Sequence, residues 1–240
     1  MSPDPLKDAL FALSQFLIAD VSLGDTLHRV SEIAQDAMAS AEAVGISMLG
    51  DDGRPTTAIY TDDTAPEVDA SQYESGNGPC LQAWRTKRVV YIENMKRAAD
   101  DYPEFARSAI EHGVLSTLSL PLIVADNGVG ALNLYARVEA AFSEDDCAVG
   151  IELAAAAAVV LANAEAYWRA YELSENLAEA MKSRAVIEQA KGMLMAQSPK
   201  LSADDAFEVL RKASQRENVK LREIAQRIVE RRAGPGAERV

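Results

Sequence analysis

Cysteine, histidine and aromatic side chains are scarce in this chain of 240 residues, with two cysteines, two histidines and 6% Phe, Trp and Tyr together. Each scarcity closes off a kind of chemistry. Cys80 and Cys147 lie far apart with no secretory leader before them, which points to free thiols in a reducing cytoplasm and away from a disulfide framework. His28 and His112 stand at no ligand spacing, so no metal centre is expected. There is no Ser-His-Asp order, phosphate-cradling glycine loop or paired-carboxylate motif, and Gly128-Val129-Gly130 is turn chemistry without the helix that a dinucleotide site needs. The expectation is a protein that is not an enzyme and carries no cofactor. Met1-Ser2-Pro3-Asp4-Pro5 lacks signal-peptide character, and the alanine-rich stretch 153–164 is interrupted by Asn163 and bounded by Glu152 and Glu165, so no membrane span is expected.

Apolar residues make up 48% of the chain, enough for a core in each of two domains. Charge separates those domains. The net charge is −13, yet residues 182–232 hold 12 Lys and Arg against 7 Asp and Glu, a local +5 that leaves −18 for the rest. A basic segment on an acidic body suits a polyanion, because phosphate contacts release counterions while the body repels nonspecific attachment. The tail is therefore the candidate nucleic-acid end.

Leu6, Leu10, Leu13 and Leu17 recur at helical spacing, as do Leu27, Val30, Ile33, Ala34 and Ala37 after the break at 22–25. The pattern then changes to strands. Residues 44–49 and 56–61 around Asp51-Asp52-Gly53 predict a hairpin, 89–92 a strand, and 118–124 with 130–135 a second hairpin turning at Asp126-Asn127-Gly128, where Asn-Gly suits positive φ angles. Short helices are expected from Gly78-Pro79 and over 103–112. Helices first, then antiparallel strands with helical insertions, predict an α+β fold with one helix-covered face.

Glu74-Ser75-Gly76-Asn77-Gly78-Pro79-Cys80-Leu81-Gln82-Ala83-Trp84, Pro103-Glu104-Phe105-Ala106, Gly113-Val114, Leu118-Ser119-Leu120-Pro121-Leu122, Gly130-Ala131-Leu132-Asn133-Leu134-Tyr135 and Ala141-Phe142-Ser143 follow one another as the landmarks of a GAF sensory domain do. The resemblance implies a six-stranded antiparallel sheet sandwiched by helices, with a pocket under residues 76–95. It does not imply a ligand: the signal is a small molecule, a partner protein or none, the domain then serving only as a dimerisation body. Asn94 with Lys96 and Phe142 with Asp145-Asp146 do not reproduce the pattern of cyclic-nucleotide pockets. Cys80, at a predicted helix start where the dipole lowers a thiol's pKa, is either a redox switch or a half-buried small apolar residue, the second being favoured since no resolving cysteine is near.

Leu153, Ala157, Val160, Ala164, Tyr167, Tyr171, Ser174, Ala178, Met181 and Ala185 alternate spacings of four and three, the heptad rhythm of a helix that pairs with another. A homodimer through a long coiled-coil helix is expected, against the alternative that 153–164 only covers its own sheet. Beyond it, the tail predicts a three-helix bundle: one helix to about Gln197, stopped by Ser198-Pro199, one from Ser202 to Glu217, and one over 221–231 after a bend at Asn218-Val219. Ile187, Leu194, Leu201, Phe207, Leu210, Ala213, Leu221, Ile224, Ala225 and Ile228 would form its core.

The stretch 183–195, Leu201 to Phe207, Leu210-Arg211-Lys212-Ala213-Ser214 and 218–225 together resemble an ANTAR domain. That resemblance implies an RNA partner with paired stem-loops in a leader transcript and control of termination, an antiterminator. Expected contacts are Ala190, Lys191 and Gly192 to a loop base, and Arg184, Arg211, Lys212, Lys220 and Arg222 to phosphates. Gly192 inside a helix costs about 1 kcal/mol relative to alanine, which either close approach by a partner or packing against the second helix would explain. A DNA-binding regulator and a protein-interaction adaptor are the alternatives. The expected boundaries are 1–164 for the sensory domain, 165–181 for the connecting helix, 182–232 for the RNA-binding bundle and 233–240 for a disordered tail.

Overall fold

A computed structural model describes residues 4–16, 22–49, 54–198 and 200–233. Its elements run α1 (Pro5–Ser14), α2 (Leu23–Ala37), β1 (Ala43–Leu49), β2 (Pro55–Tyr60), α3 (Thr64–Ser75), α4 (Pro79–Thr86), β3 (Val90–Ile92), α5 (Pro103–Glu111), β4 (Ser116–Val124), β5 (Asn127–Ala136), α6 (Glu144–Gln197), α7 (Ala203–Glu217) and α8 (Leu221–Ala233). The chain divides into two compact units, Met1–Trp168 and Arg169–Val240.

In the first unit the five strands among the described residues form one antiparallel sheet in the order β2-β1-β5-β4-β3. This is one strand fewer than the resemblance implies. Side chains alternate across the sheet because the strand repeat is two residues. Val44, Ile46 and Met48 of β1, Leu118, Leu120 and Leu122 of β4 and Leu132, Leu134 and Ala136 of β5 turn to one face, where they meet Leu27, Val30 and Ile33 of α2 and Leu153, Ala157 and Leu161 of α6. Burial of each of these valine, leucine, isoleucine and methionine side chains contributes roughly 2 kcal/mol, and of each alanine less. The opposite face meets α3 and α5 through Ala65, Val68, Phe105, Ala106 and Ala109, together with Tyr135. Both faces are thus covered, as the GAF resemblance implies and unlike the single covered face read from the element order: α3 has no strong apolar stripe, and its sequence did not announce a helix.

Local chemistry sets several element ends. Ser22 and Asp25 form a reciprocal capping box at α2, and Ser202 with Asp205 does the same at α7. Asn218 ends α7 in the left-handed region at φ 52°, with the Val219 carbonyl accepting from the Ser214 hydroxyl at 2.6 Å.

The β4–β5 turn differs from its prediction. Val124 pairs with Asn127, so the two turn residues are Ala125 (φ 47°) and Asp126 (φ 66°), while Asn127 and Gly128 already belong to the strand. A register shift beside Leu122 accommodates the extra residue. Gly128 serves packing instead: a Cβ there would stand 2.7 Å from Trp84 Cδ1.

α6 carries a stretch long and apolar enough to cross a membrane by length and composition. Its Leu153, Ala157, Ala158, Leu161 and Ala164 are buried in the first unit. The first half of the expected pairing stripe therefore covers its own sheet and is closed to a partner helix. Farther along, Leu173, Leu177 and Met181 are 60, 57 and 74% exposed and lie one turn apart on one helix face.

In the second unit α6, α7 and α8 close around Ala190, Leu210, Ile224 and Ala225, flanked by Val186, Ile187, Leu194, Ala213, Leu221 and Ile228. Phe207, expected in this core, is 37% exposed, because Ala206 and Leu210 take the inward positions of α7. The tail expected to be disordered begins at residue 233, the last described residue, and the Gly234-Pro235-Gly236 stop lies outside the described residues.

Candidate functional site

The cations singled out from the sequence all lie on the second unit, at the surface of the three-helix bundle. Arg184, Lys212 and Lys220 are exposed on α6, α7 and just before α8. Lys191 lies along α6 with its side chain 15% exposed, its Nζ donating to Glu188 Oε1 at 2.8 Å and Oε2 at 3.0 Å. Arg211 makes a two-pronged pair with Glu208, Nε to Oε1 at 2.9 Å and Nη2 to Oε2 at 2.7 Å. That pair holds the Glu208 carboxyl below its ordinary range and the Arg211 guanidinium above its own. Arg222 reaches from α8 to Glu179 on α6.

These glutamates are the contacts the sequence reading did not anticipate; acid residues three apart from a base on one helix were the available signal for two of them. The Arg211 and Arg222 pairs sit at the surface, so they are weak and exchangeable for an external anion, while the Lys191 side chain is more enclosed. Between α6 and α8, Glu179, Lys182, Ser183, Val186, Arg222, Glu223 and Gln226 line a groove of about 280 Å³.

Ala190 and Gly192 part company. Ala190 is fully buried in the bundle core, so its side chain has no surface to offer a ligand, which corrects its assignment as a contact. Gly192 is exposed, and a Cβ built there meets nothing within 4 Å. Packing against the second helix is thus not the reason for glycine at this position.

The first unit carries a second cluster, buried between α3, α4 and the sheet. Asp69 accepts from Tyr135 Oη (2.5 Å) and Gln72 Nε2 (2.6 Å) on Oδ1 and from Thr57 Oγ1 (2.8 Å) on Oδ2. Gln72 accepts in turn from the Cys80 amide at 3.0 Å, tying the start of α4 into the cluster. Burial pushes the Asp69 carboxyl up to about 6, with the hydrogen bonds from Tyr135, Thr57 and Gln72 opposing. Burial likewise pushes the Cys80 thiol up to about 12, with Asp69 adding to the effect. Desolvation overrides the helix dipole, so the lowered thiol pKa expected from the sequence does not occur.

The expected pocket under residues 76–95 is nearly filled: beside Cys80, Leu81 and Trp84 a cavity of about 10 Å³ remains, the space of a single water. No group of three or more potential metal ligands occurs among the described residues.

Comparison with known domains joins the two units. A GAF domain model matches residues 20–162 and an ANTAR domain model matches residues 175–229. The chain belongs to the GAF-ANTAR family. The GAF match covers more than half of the sequence and encloses the Asp69 cluster, while the ANTAR match encloses every cation named above. A comparison with curated proteins finds no match.

Among solved structures, the GAF domain of Acinetobacter phosphoenolpyruvate-protein phosphotransferase is similar at 18% identity and TM-score 0.51, covering 68% of this chain and 93% of that one. The free methionine-R-sulfoxide reductase of Neisseria meningitidis is similar at 19% and 0.52, covering 70% and 96%. A further GAF domain structure is similar at 16% and 0.51, covering 65% and 86%. At such identities the likeness is one of fold. The pairing of a GAF domain with an RNA-binding ANTAR domain is the architecture of a signal-responsive regulator.

Proposed function

We propose that this GAF-ANTAR protein is a cytoplasmic, non-enzymatic regulator that binds paired stem-loops in leader transcripts and controls transcription termination. The observation that carries the reading is the open surface at Gly192, a costly glycine where an added Cβ would meet nothing within 4 Å, next to Lys191 on a basic helical bundle. A loop presents splayed bases that need close approach, and cations on adjoining helices hold the backbone. Lys191 and Gly192 meet a loop base; Arg184, Arg211, Lys212, Lys220 and Arg222 hold phosphates, with Glu188, Glu208 and Glu179 displaced from Lys191, Arg211 and Arg222.

A homodimer supplies two such bundles for two stem-loops, pairing through the α6 face that bears Leu173, Leu177 and Met181. A signal at the GAF domain changes that pairing, and two modest sites joined this way gain affinity through effective concentration.

The test is titration of the full chain with a two-hairpin RNA and with duplex DNA of matched length over a salt series. Five phosphate contacts per bundle predict a log–log salt slope of about −3.5 to −4.5 for each stem-loop. Equal binding to the duplex DNA, or no binding to RNA in dilute buffer, overturns the reading.

A further inference from the structure

The Asp69 cluster is one link of a longer chain of hydrogen bonds that crosses the sheet face. Asn133 Nδ2 donates to Ser47 Oγ at 3.0 Å, Ser47 Oγ meets Tyr73 Oη at 2.6 Å, Tyr73 Oη meets Thr57 Oγ1 at 3.0 Å, and Thr57 Oγ1 donates to Asp69 Oδ2 at 2.8 Å. Either oxygen could donate in the two middle contacts taken singly, but the ends decide them. An ionised carboxylate only accepts, and each hydroxyl has one hydrogen. Thr57 gives its hydrogen to Asp69, so Tyr73 must donate to Thr57 and Ser47 must donate to Tyr73. Every hydrogen in the chain points toward Asp69.

This arrangement leaves a defect at the far end. Asn133 is fully buried, and its Oδ1 has no partner. A buried carbonyl without a donor is a standing cost in a cluster where every other named oxygen is satisfied.

We propose that Asp69 and Asn133 are the two ends of a proton-operated relay, in which a proton taken up from solution at Asp69 reverses the hydroxyls of Thr57, Tyr73 and Ser47 and turns the Asn133 amide over. Protonated on Oδ2, Asp69 donates to Thr57. Thr57 then donates to Tyr73, Tyr73 to Ser47, and Ser47 to Asn133, whose turned amide presents Oδ1 in place of Nδ2. One proton enters and no other leaves a heavy atom; the hydroxyls only rotate. The turn exchanges one unmet group for another, since Oδ1 gains the Ser47 hydroxyl while Nδ2 takes the position where Oδ1 had no partner; the proton at Asp69 is therefore what drives it.

The surroundings are those such a device needs. Asp69 faces Thr57 from β2, Tyr135 from β5, and Gln72 and Tyr73 from its own helix; Gly45 of β1 lies beside its Oδ2. The Cys80 thiol of α4 and the Ser47 hydroxyl of β1 complete the cluster. The titratable neighbours Tyr73, Tyr135 and Cys80 are all pushed upward and stay neutral, and no cation among the described residues pairs with Asp69. With burial holding the carboxyl at about 6, its charge changes between neutral and mildly acid pH. Gln72 passes the change onward, because the same amide that donates to Asp69 accepts from the Cys80 N–H at the first turn of α4. The inference concerns the GAF domain alone and is independent of the RNA-binding reading.

The experiment is nuclear magnetic resonance of the isotope-labelled full chain between pH 4.5 and 8, following the Asp69 carboxyl carbon and the Asn133 side-chain NH₂. The expected result is a shared midpoint near 6 and a change of environment at the Asn133 amide. Thr57→Val cuts the relay while keeping a β-branched side chain on its strand; Asp69 should still titrate and Asn133 should stop responding. Asp69→Asn should hold the Asn133 signal at its low-pH position throughout, and if that variant does not fold, Tyr73→Phe supplies a second cut. An Asn133 amide that ignores the Asp69 titration, a response that survives Thr57→Val, or an Asp69 that stays charged down to pH 4.5 each overturns the relay.

Discussion

The indole N–H of Trp84 donates to the carbonyl oxygen of Gly128 at 3.1 Å, and the ring lies over the glycine where a side chain would otherwise stand. The contact fastens α4 to the β4–β5 hairpin. A methyl at position 128 would sit 2.7 and 2.8 Å from Trp84 Cδ1 and Nε1, so Gly128→Ala must displace the ring. The expected loss is about 1–3 kcal/mol of stability, read from chemical denaturation of the full chain. An unchanged midpoint would mean that Trp84 moves aside freely.

Gly192→Ala separates folding from binding. The space around Gly192 is open, so alanine should stabilise α6 by up to about 1 kcal/mol. The same methyl should weaken binding to a two-hairpin RNA if a base or backbone approaches this point. Thermal melting and RNA titration of one variant read both effects, and a stabilised protein with undiminished affinity would remove Gly192 from the interface.

Asp69 makes folding depend on pH with a definite sign. Its native pKa, about 6, lies above the ordinary 3.8, so the folded state binds a proton more tightly than the unfolded one. Above pH 6 the buried charge lowers stability. As pH falls through 6 the cost is relieved, and below 3.8 both states are protonated and the contribution is constant. The span is worth at most roughly 3 kcal/mol. Denaturation midpoints between pH 7.5 and 5 should rise for the parent relative to Asp69→Asn, which lacks this term. Parallel curves would show that Asp69 is not the group responsible.

Cys80 and Cys147 should differ sharply toward an alkylating reagent. Cys80 is buried with its thiol pushed up to about 12, whereas Cys147 is only partly buried on α6. Mass spectrometry after brief iodoacetamide treatment at pH 7.5 should find label at Cys147 first and at Cys80 only after unfolding. Early labelling of Cys80 would revive the redox switch that burial argues against.

Leu173 and Leu177 test the proposed dimer. Placing glutamate at both positions on the exposed α6 face should yield a monomer by sedimentation and reduce affinity for a two-hairpin RNA more than for a single hairpin. A dimer that survives this change pairs elsewhere.

Much of this architecture was legible along the chain. The reversal of charge at the tail, the capping pair Ser202 and Asp205, the alternating aliphatics of β4 and β5 and the order of the GAF and ANTAR landmarks are all local or compositional signals, and the structure uses them. α3 was not legible, because its inward residues Ala65, Val68, Asp69 and Gln72 mix small, apolar and polar types that form no stripe in sequence. The hairpin turn was misplaced by the Asn-Gly signal, since the register is set by β1 and β4 pairing along the whole of β5 and by the bulge beside Leu122.

The candidate sites divide along the same line. Residue order alone determined that one end of this protein is a cationic helical module and the other a helix-covered sheet, because charge, periodicity and caps act over a few residues. Only the folded chain decided that Ala190 faces inward while Gly192 faces solvent, that Lys191, Arg211 and Arg222 rest against glutamates, and that Asp69, drawn from α3, meets Tyr135 and Asn133 of β5 and Thr57 of β2. Burial and contact between distant segments govern those outcomes, and neither can be read from neighbours in sequence.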